Sequence, residues 1–413
     1  MTLTLKEIVK TFSVIGPAVL ISVELFDPAS IVTATAAGSA LGFEVLWAAF
    51  YSGVLLIIVE EISARLGVVT RKTLAENIHR TYGRNFSLFL FVTCLFLDLS
   101  TLTAEVIGLS LALSFLVKIP YILGVLATIS LAAFLVFLGS YSKVEKAVMF
   151  LATAVFLVYA YLFAQLNPPY TSVIFSSLVP SMSGKSLYYA EAVIGASIMP
   201  TYVVLHSGLV FEKGLIHDHH RSLEELVHHQ HEAVVNQRID SVLSLLMGTI
   251  LNIVIIASAA ILVRGRQIES FLDIALPFYD KLGNVGVTLF GVAFACAGIS
   301  AVITVGLASV YNSFGFLGIE ERIKAKRFRL LFILWVIVAA VFSLLPNQIE
   351  IMIFTQYLNG ALLPFVLVPL VLLARNKKIM GGYKLGKITT TLALATIIIV
   401  TSLFLLSLLQ VLK

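Results

Sequence analysis

Five carboxylates stand inside apolar runs of this chain: Glu24, Asp27, Asp98, Glu105 and Glu191. Asp27 is followed by Pro28 in "ELFDPASIV", with Glu24 three residues before it, and Met199 is followed by Pro200 in "GASIMPTYV". An ionised side chain in an apolar setting is costly unless it is protonated, hydrated or bound to a cation, so such acids suit chemistry with protons or metal ions. A proline in a helical run removes a backbone donor and frees carbonyl oxygens. Carboxylate and carbonyl oxygens joined by one thioether make a donor set suited to a divalent transition metal. Glu24 and Asp27, three apart, could instead hold a harder cation such as Mg²⁺ or Mn²⁺, or share a proton.

The elements that must carry these groups are membrane helices. Of the 413 residues 59% are hydrophobic and only 12% charged, and the mean hydropathy is +1.00, which leaves too little polar surface to dissolve the chain in water. At roughly 20 apolar residues per span the chain offers about eleven, centred near Ser22, Leu56, Glu105, Thr128, Leu157, Met199, Ile253, Ala295, Trp335, Leu363 and Ile397. The opening residues lack a cleavable signal, so the mature chain is expected to start at Met1. Most Lys and Arg fall on one side of these spans, which predicts a cytoplasmic N-terminus and an outside C-terminus. None is left within the hydrocarbon zone to pair with the five acids. Cys94 and Cys296 lie in apolar runs and imply neither a disulfide nor a thiolate metal site. Dispersed basic residues exclude a nucleic-acid surface.

The two proline-bearing segments are the first and the sixth. They therefore hold corresponding positions in two successive five-helix units, about 12–166 and 188–375, with an extra helix at about 386–411. Paired interrupted helices of this kind point to the substrate site of an inverted-repeat transporter. A kink or unwound break is expected at each proline, with Asp27 at one and Met199 at the other.

The motifs "GPAVL…DPAS…AAGSALGFEVLW" and "GASIMPTYVVLHS" resemble the first and sixth helices of the Nramp family of divalent metal transporters. The similarity extends through "EEISARLGVVTRKTLAE", "TAEVIGLSLAL", "RIDSVLSLLMGTILN" and "TQYLNGALLPFVLVPLVLLARNKKIMG", nearly the whole chain. The resemblance implies an all-α integral membrane protein of LeuT type, with an inverted 5+5 repeat, broken helices one and six, and alternating access. It also implies Asp27, Ser30, the Ala196 carbonyl and Met199 as metal ligands, with Gln356 joining in the occluded state.

Four departures from the family pattern bear on mechanism. Ala29 and Ser30 stand for the Gly and Asn of DPGN, so a hydroxyl replaces an amide carbonyl. Thr201 and Tyr202 stand for the His and Asn after the sixth-helix proline, although His206 keeps the LHS position. Leu102 occupies the place of a proton-accepting Asp; Glu105 is retained, and Asp98, on the same face, is either a displaced relay or a hydrated acid near the cytoplasmic half. Glu24 replaces a small residue and adds a second acid to the site. Asp98, Glu105 and His206 are the candidates for a proton pathway.

Six of the eight histidines lie in "HDHHRSLEELVHHQHE", within the loop after the sixth span. The segment is expected to be a solvated loop with a short helix from the Ser222/Glu225 capping box; a metal-gathering or pH-sensing role is the alternative. Asn252, Ser300, Thr304 and Asn359 are expected to hydrogen-bond between helices. No nucleotide-binding loop or nucleophile constellation is present, so neither an ATP-driven pump nor an enzyme is expected. The leading expectation is a monomeric secondary transporter of the cell membrane that imports Mn²⁺- or Fe²⁺-like cations, with divalent metal as substrate, no cofactor, protons as a second candidate partner, and the lipid bilayer around it. The alternatives are a Mg²⁺-preferring relative with little proton coupling, and a non-transporting metal sensor.

Overall fold

A computed structural model describes residues 27–138, 159–181, 186–212, 246, 248–319 and 325–411. Among them every regular element is helical. The helices of eight or more residues are α1 (Pro28–Leu41), α2 (Leu46–Thr70), α3 (Leu74–Val117), α4 (Tyr121–Leu138), α5 (Tyr170–Leu178), α6 (Ser186–Ser197), α7 (Pro200–Glu212), α8 (Gly248–Leu262), α9 (Phe271–Leu317), α10 (Lys326–Ser343), α11 (Gln348–Arg375) and α12 (Lys387–Val411). Nine of the eleven expected centres fall on these helices or, for Met199, on the junction between two of them. Ser22 and Leu157 lie outside the described residues, as do Glu24 and the histidine-rich segment 217–232. Six stretches, including α11 and α12, are long and apolar enough to cross a membrane, which makes the protein multi-pass.

The ends of the helices follow from local chemistry. Thr73 begins α3 with a capping box: its hydroxyl accepts from Glu76 N–H at 3.1 Å and the Glu76 carboxylate accepts from Thr73 N–H at 2.8 Å. Ser270 and Asp273 do the same for α9. Within α3 the chain turns at Gly83, whose φ of 79° lies in the left-handed region that glycine enters without strain. Large apolar side chains such as Phe89, Val92, Phe96, Val285 and Ile398 remain exposed, which suits a lipid-facing perimeter.

The core of the bundle is made by α1, α6 and α7 held between α2, α3, α9 and α11. α3 lies along α9, α6 packs on α11, and α2 supports both halves of the broken sixth helix. The α2 helix runs on to Thr70 and includes Arg65, which pairs with Glu61 one turn earlier. Glu60 beside it is buried, a sixth acid of the helical region that hydropathy alone had not singled out.

Candidate metal site at two helix starts

Each of the two prolines is the first residue of a helix, so of the two expected outcomes the structure has the break rather than the kink. Pro28 opens α1 and Pro200 opens α7, positions where the missing N–H costs nothing and the fixed φ is already helical. Asp27 precedes the first with an extended backbone (φ −63°, ψ 157°) and Met199 precedes the second, after α6 has ended at Ser197. Both are buried, at 1% and 2% exposure.

Asp27 is the N-cap of α1. Its Oδ1 accepts from the Ser30 N–H at 2.6 Å, and the Ser30 hydroxyl lies 3.1 Å from Oδ2. The same hydroxyl lies 3.2 Å from the Ala196 carbonyl oxygen on α6. Ser30 thus bridges the carboxylate of one break and a carbonyl of the other, across 166 residues of sequence. Having one proton to donate, it serves only one of these oxygens at a time, and its own lone pairs stay available. Three of the expected ligands are therefore assembled, with Met199 three residues beyond Ala196 at the same break.

Glu105 closes on this centre from α3. Its carboxyl is fully buried beside Asp27 and the start of α1, and neither of its oxygens has a hydrogen-bond partner among the described residues. Two acids held so close are relieved by a shared proton or by a cation. The approach depends on Gly108, one turn along α3: a Cβ there would collide with the Pro28 ring and come within 3.2 Å of Met352 Cε on α11.

Gln356 lies on the face of α11 that packs on α6, where the backbones approach so closely that a Cβ on Gly195 would meet the Gln356 carbonyl. Its Oε1 accepts from Asn359 Nδ2 at 3.1 Å, and Asn359 Oδ1 accepts from the Thr101 hydroxyl of α3 at 3.1 Å. Its Nε2 has no partner among the described residues. The side chain is thus buried beside the second break and tied back toward α3. Asn359 plays the interhelical role expected of it, as does Asn252, whose Nδ2 donates to Ser197 Oγ at 3.3 Å, where the Ser52 hydroxyl also donates at 2.9 Å.

Asp98 is not a hydrated acid. It is 1% exposed and bonded on both oxygens: the Thr201 hydroxyl donates to Oδ1 at 2.6 Å, and Asn312 Nδ2 stands 3.2 and 3.1 Å from Oδ1 and Oδ2. It joins α3 to α7 and α9 at the residue that follows Pro200. Leu102 is buried and apolar, so no carboxylate stands between Asp98 and Glu105 on this face. His206 is also buried, and its neighbour Ser207 accepts from the Leu74 N–H at 2.7 Å, securing the start of α3 to α7. Asn312 was missed from sequence because an isolated amide in an apolar helix carries no local signal of its partner.

A profile of proteins described as natural resistance-associated macrophage protein-like matches residues 18–410. The chain belongs to the Nramp family. The protein named divalent metal cation transporter MntH of Mesorhizobium japonicum is 30% identical over 406 residues, covering 95% of this chain and 87% of that one. The crystal structure of the Eremococcus coleocola manganese transporter, 24% identical, superposes with a TM-score of 0.80 over 98% of this chain and 88% of that chain. Mhp1, a nucleobase-cation-symport-1 family transporter, is 15% identical with a TM-score of 0.55, covering 95% and 92% of the two chains. At these identities the two structural likenesses carry the fold alone. This Nramp chain has the LeuT-type arrangement that its motifs imply.

Proposed function

We propose that this Nramp protein is a secondary transporter that moves divalent metal cations into the cell by alternating access between the two five-helix repeats, about 12–166 and 188–375. The observation that carries the reading is the Ser30 hydroxyl held between Asp27 and the Ala196 carbonyl, because it brings carboxylate, hydroxyl and carbonyl oxygens of two helix starts to one point. Asp27 supplies the charge, Ser30 and Ala196 supply neutral oxygens, and Met199 supplies the soft donor that favours Mn²⁺- or Fe²⁺-like ions over Mg²⁺. Glu24 precedes Asp27 by three residues and adds a second charge in this reading. Gln356 enters when the α6–α11 face rearranges around the ion. The protein works as a monomer in the cell membrane, with its N-terminus in the cytoplasm and its C-terminus outside.

A second reading, Mg²⁺ preference with little proton coupling, draws support from the Asp27–Glu105 approach. Two carboxylates at one point suit a hard cation, and Leu102 and Thr201 carry no titratable group where the family pattern has Asp and His. Uptake into sealed proteoliposomes containing the purified protein separates the readings. Mn²⁺ uptake that Cd²⁺ competes and excess Mg²⁺ does not supports the first. Preferential competition by Mg²⁺ supports the second, and no uptake of either ion removes both.

A further inference from the structure

Glu191 lies at the middle of α6, five residues before Ala196, and takes no part in the centre described above. It is 0% exposed, and neither carboxyl oxygen has a partner among the described residues. The helix it faces is α11, whose backbone comes close enough that a Cβ on Gly360 would lie 3.0 Å from Glu191 Oε1 and 3.2 Å from its Cγ. Gly195, one turn on, makes the matching close approach to the backbone of Gln356 and Gly360. The acid is thus clamped in a glycine-lined seam between two helices.

Such a seam leaves no room for the ring of oxygens that a metal cation requires, and no group of three or more metal-binding acids, histidines or cysteines occurs among the described residues. A proton needs no ring. The titratable groups on the elements packed against α6 are otherwise engaged or remote in kind. On α11, Glu350 accepts from Asn347, the Tyr357 hydroxyl bonds Ser407, and Arg375 ends the helix. On α2, Tyr51 donates to the Leu178 carbonyl, Glu61 pairs with Arg65, and Glu60 has its own interactions. Asp27 caps α1, Glu44 lies in the turn after it, Lys387 starts α12, and Tyr188 and Tyr189 share α6 itself. None of them hydrogen-bonds Glu191.

We propose that Glu191 is a second, proton-binding site of this transporter, occupied while α6 and α11 are packed as described and emptied to water when the two helices part. Packing the seam places the carboxyl against helix backbone with no donor, where the neutral form is stable and the anion is not. Parting the seam admits water, which takes the proton and solvates the carboxylate. The transport consequence rests on the metal-transporter reading; the protonation itself does not.

Two neutral variants test it in the full-length protein. Glu191→Gln keeps the shape and Glu191→Met replaces the acid by an apolar chain of similar length. Infrared spectra of the detergent-solubilised protein without metal should show a protonated-carboxyl C=O band that weakens in both variants, and their thermal stability at neutral pH should equal or exceed that of the wild type. In proteoliposomes the dependence of Mn²⁺ uptake on pH should flatten in Glu191→Gln, with the rate changed only a few-fold at its optimum. An unchanged carboxyl band, or failure of both variants to fold, would overturn the proposal whether or not the protein transports metal. A wild-type pH profile in Glu191→Gln overturns the link to the cycle, whereas absence of uptake in the wild type strikes the transport reading and leaves the spectral result standing.

Discussion

The hydroxyl of Ser30 stands 3.1 Å from a carboxylate oxygen of Asp27 and 3.2 Å from the carbonyl oxygen of Ala196, so a single side chain ties the start of α1 to the end of α6. Ser30→Ala removes that tie and one oxygen donor while leaving both helices intact. A neutral hydrogen bond contributes about 1 kcal/mol, so metal affinity should fall by about fivefold. Ser30→Asn, which returns an amide carbonyl to the position, should restore it. Equal affinity in all three proteins, measured by calorimetric titration with Mn²⁺, would exclude Ser30 from the site.

Asp27→Ala should reduce uptake to the level of empty vesicles with the protein still folded in detergent, since Asp27 is the carboxylate at the helix start itself, bonded to Ser30 beside the Ala196 carbonyl. The cost to folding is limited to loss of an N-cap, about 1 kcal/mol. Retained uptake in a folded Asp27→Ala protein defeats the proposed mechanism.

Met199→Ala should change selectivity more than capacity. The thioether favours soft ions and gives Mg²⁺ nothing, so Cd²⁺ and Mn²⁺ should weaken relative to Mg²⁺ in competition uptake. A uniform loss for all ions would assign Met199 to packing alone.

Gly108→Ala should push α1 away from α3, because the added methyl occupies the space of the Pro28 ring. Overpacking of this sort costs about 1–3 kcal/mol, which should appear as a lower melting temperature together with slower uptake. Unchanged stability and uptake would mean that the Asp27–Glu105 approach is looser than described.

Proton movement coupled to metal should be weak. Leu102 separates Asp98 from Glu105, and Thr201 meets Asp98 with a hydroxyl that does not titrate. Metal-driven acidification of proteoliposomes, read with an enclosed pH dye, should be small, and it should be insensitive to Asp98→Asn. Robust acidification that disappears in Asp98→Asn would make Asp98 the relay and reverse this prediction. Asp98→Ala, by contrast, strands the Thr201 and Asn312 donors, and at about 1–3 kcal/mol for a stranded buried group should be markedly less stable to heat.

The membrane class, the two interrupted helices and the pairing of Asp27 with Met199 were legible in the sequence, because each rests on a local property: a run of apolar residues, a proline, an acid beside it. Even there, locality had a limit. A proline within an apolar run allows either a kink or an unwound break, and that Pro28 and Pro200 each begin a helix is a choice between the two that the proline alone does not make. What only the tertiary structure decided are the partners of the buried acids. Asp98 meets Thr201 across 103 residues and Asn312 across 214, Glu105 meets Asp27 at the start of α1, and Glu191 lies against α11 at Gly360. A carboxylate in an apolar helix announces that it must be neutralised, bonded or solvated, but which of these happens depends on the helices packed against it, and that packing is not written in the spacing of any one helix.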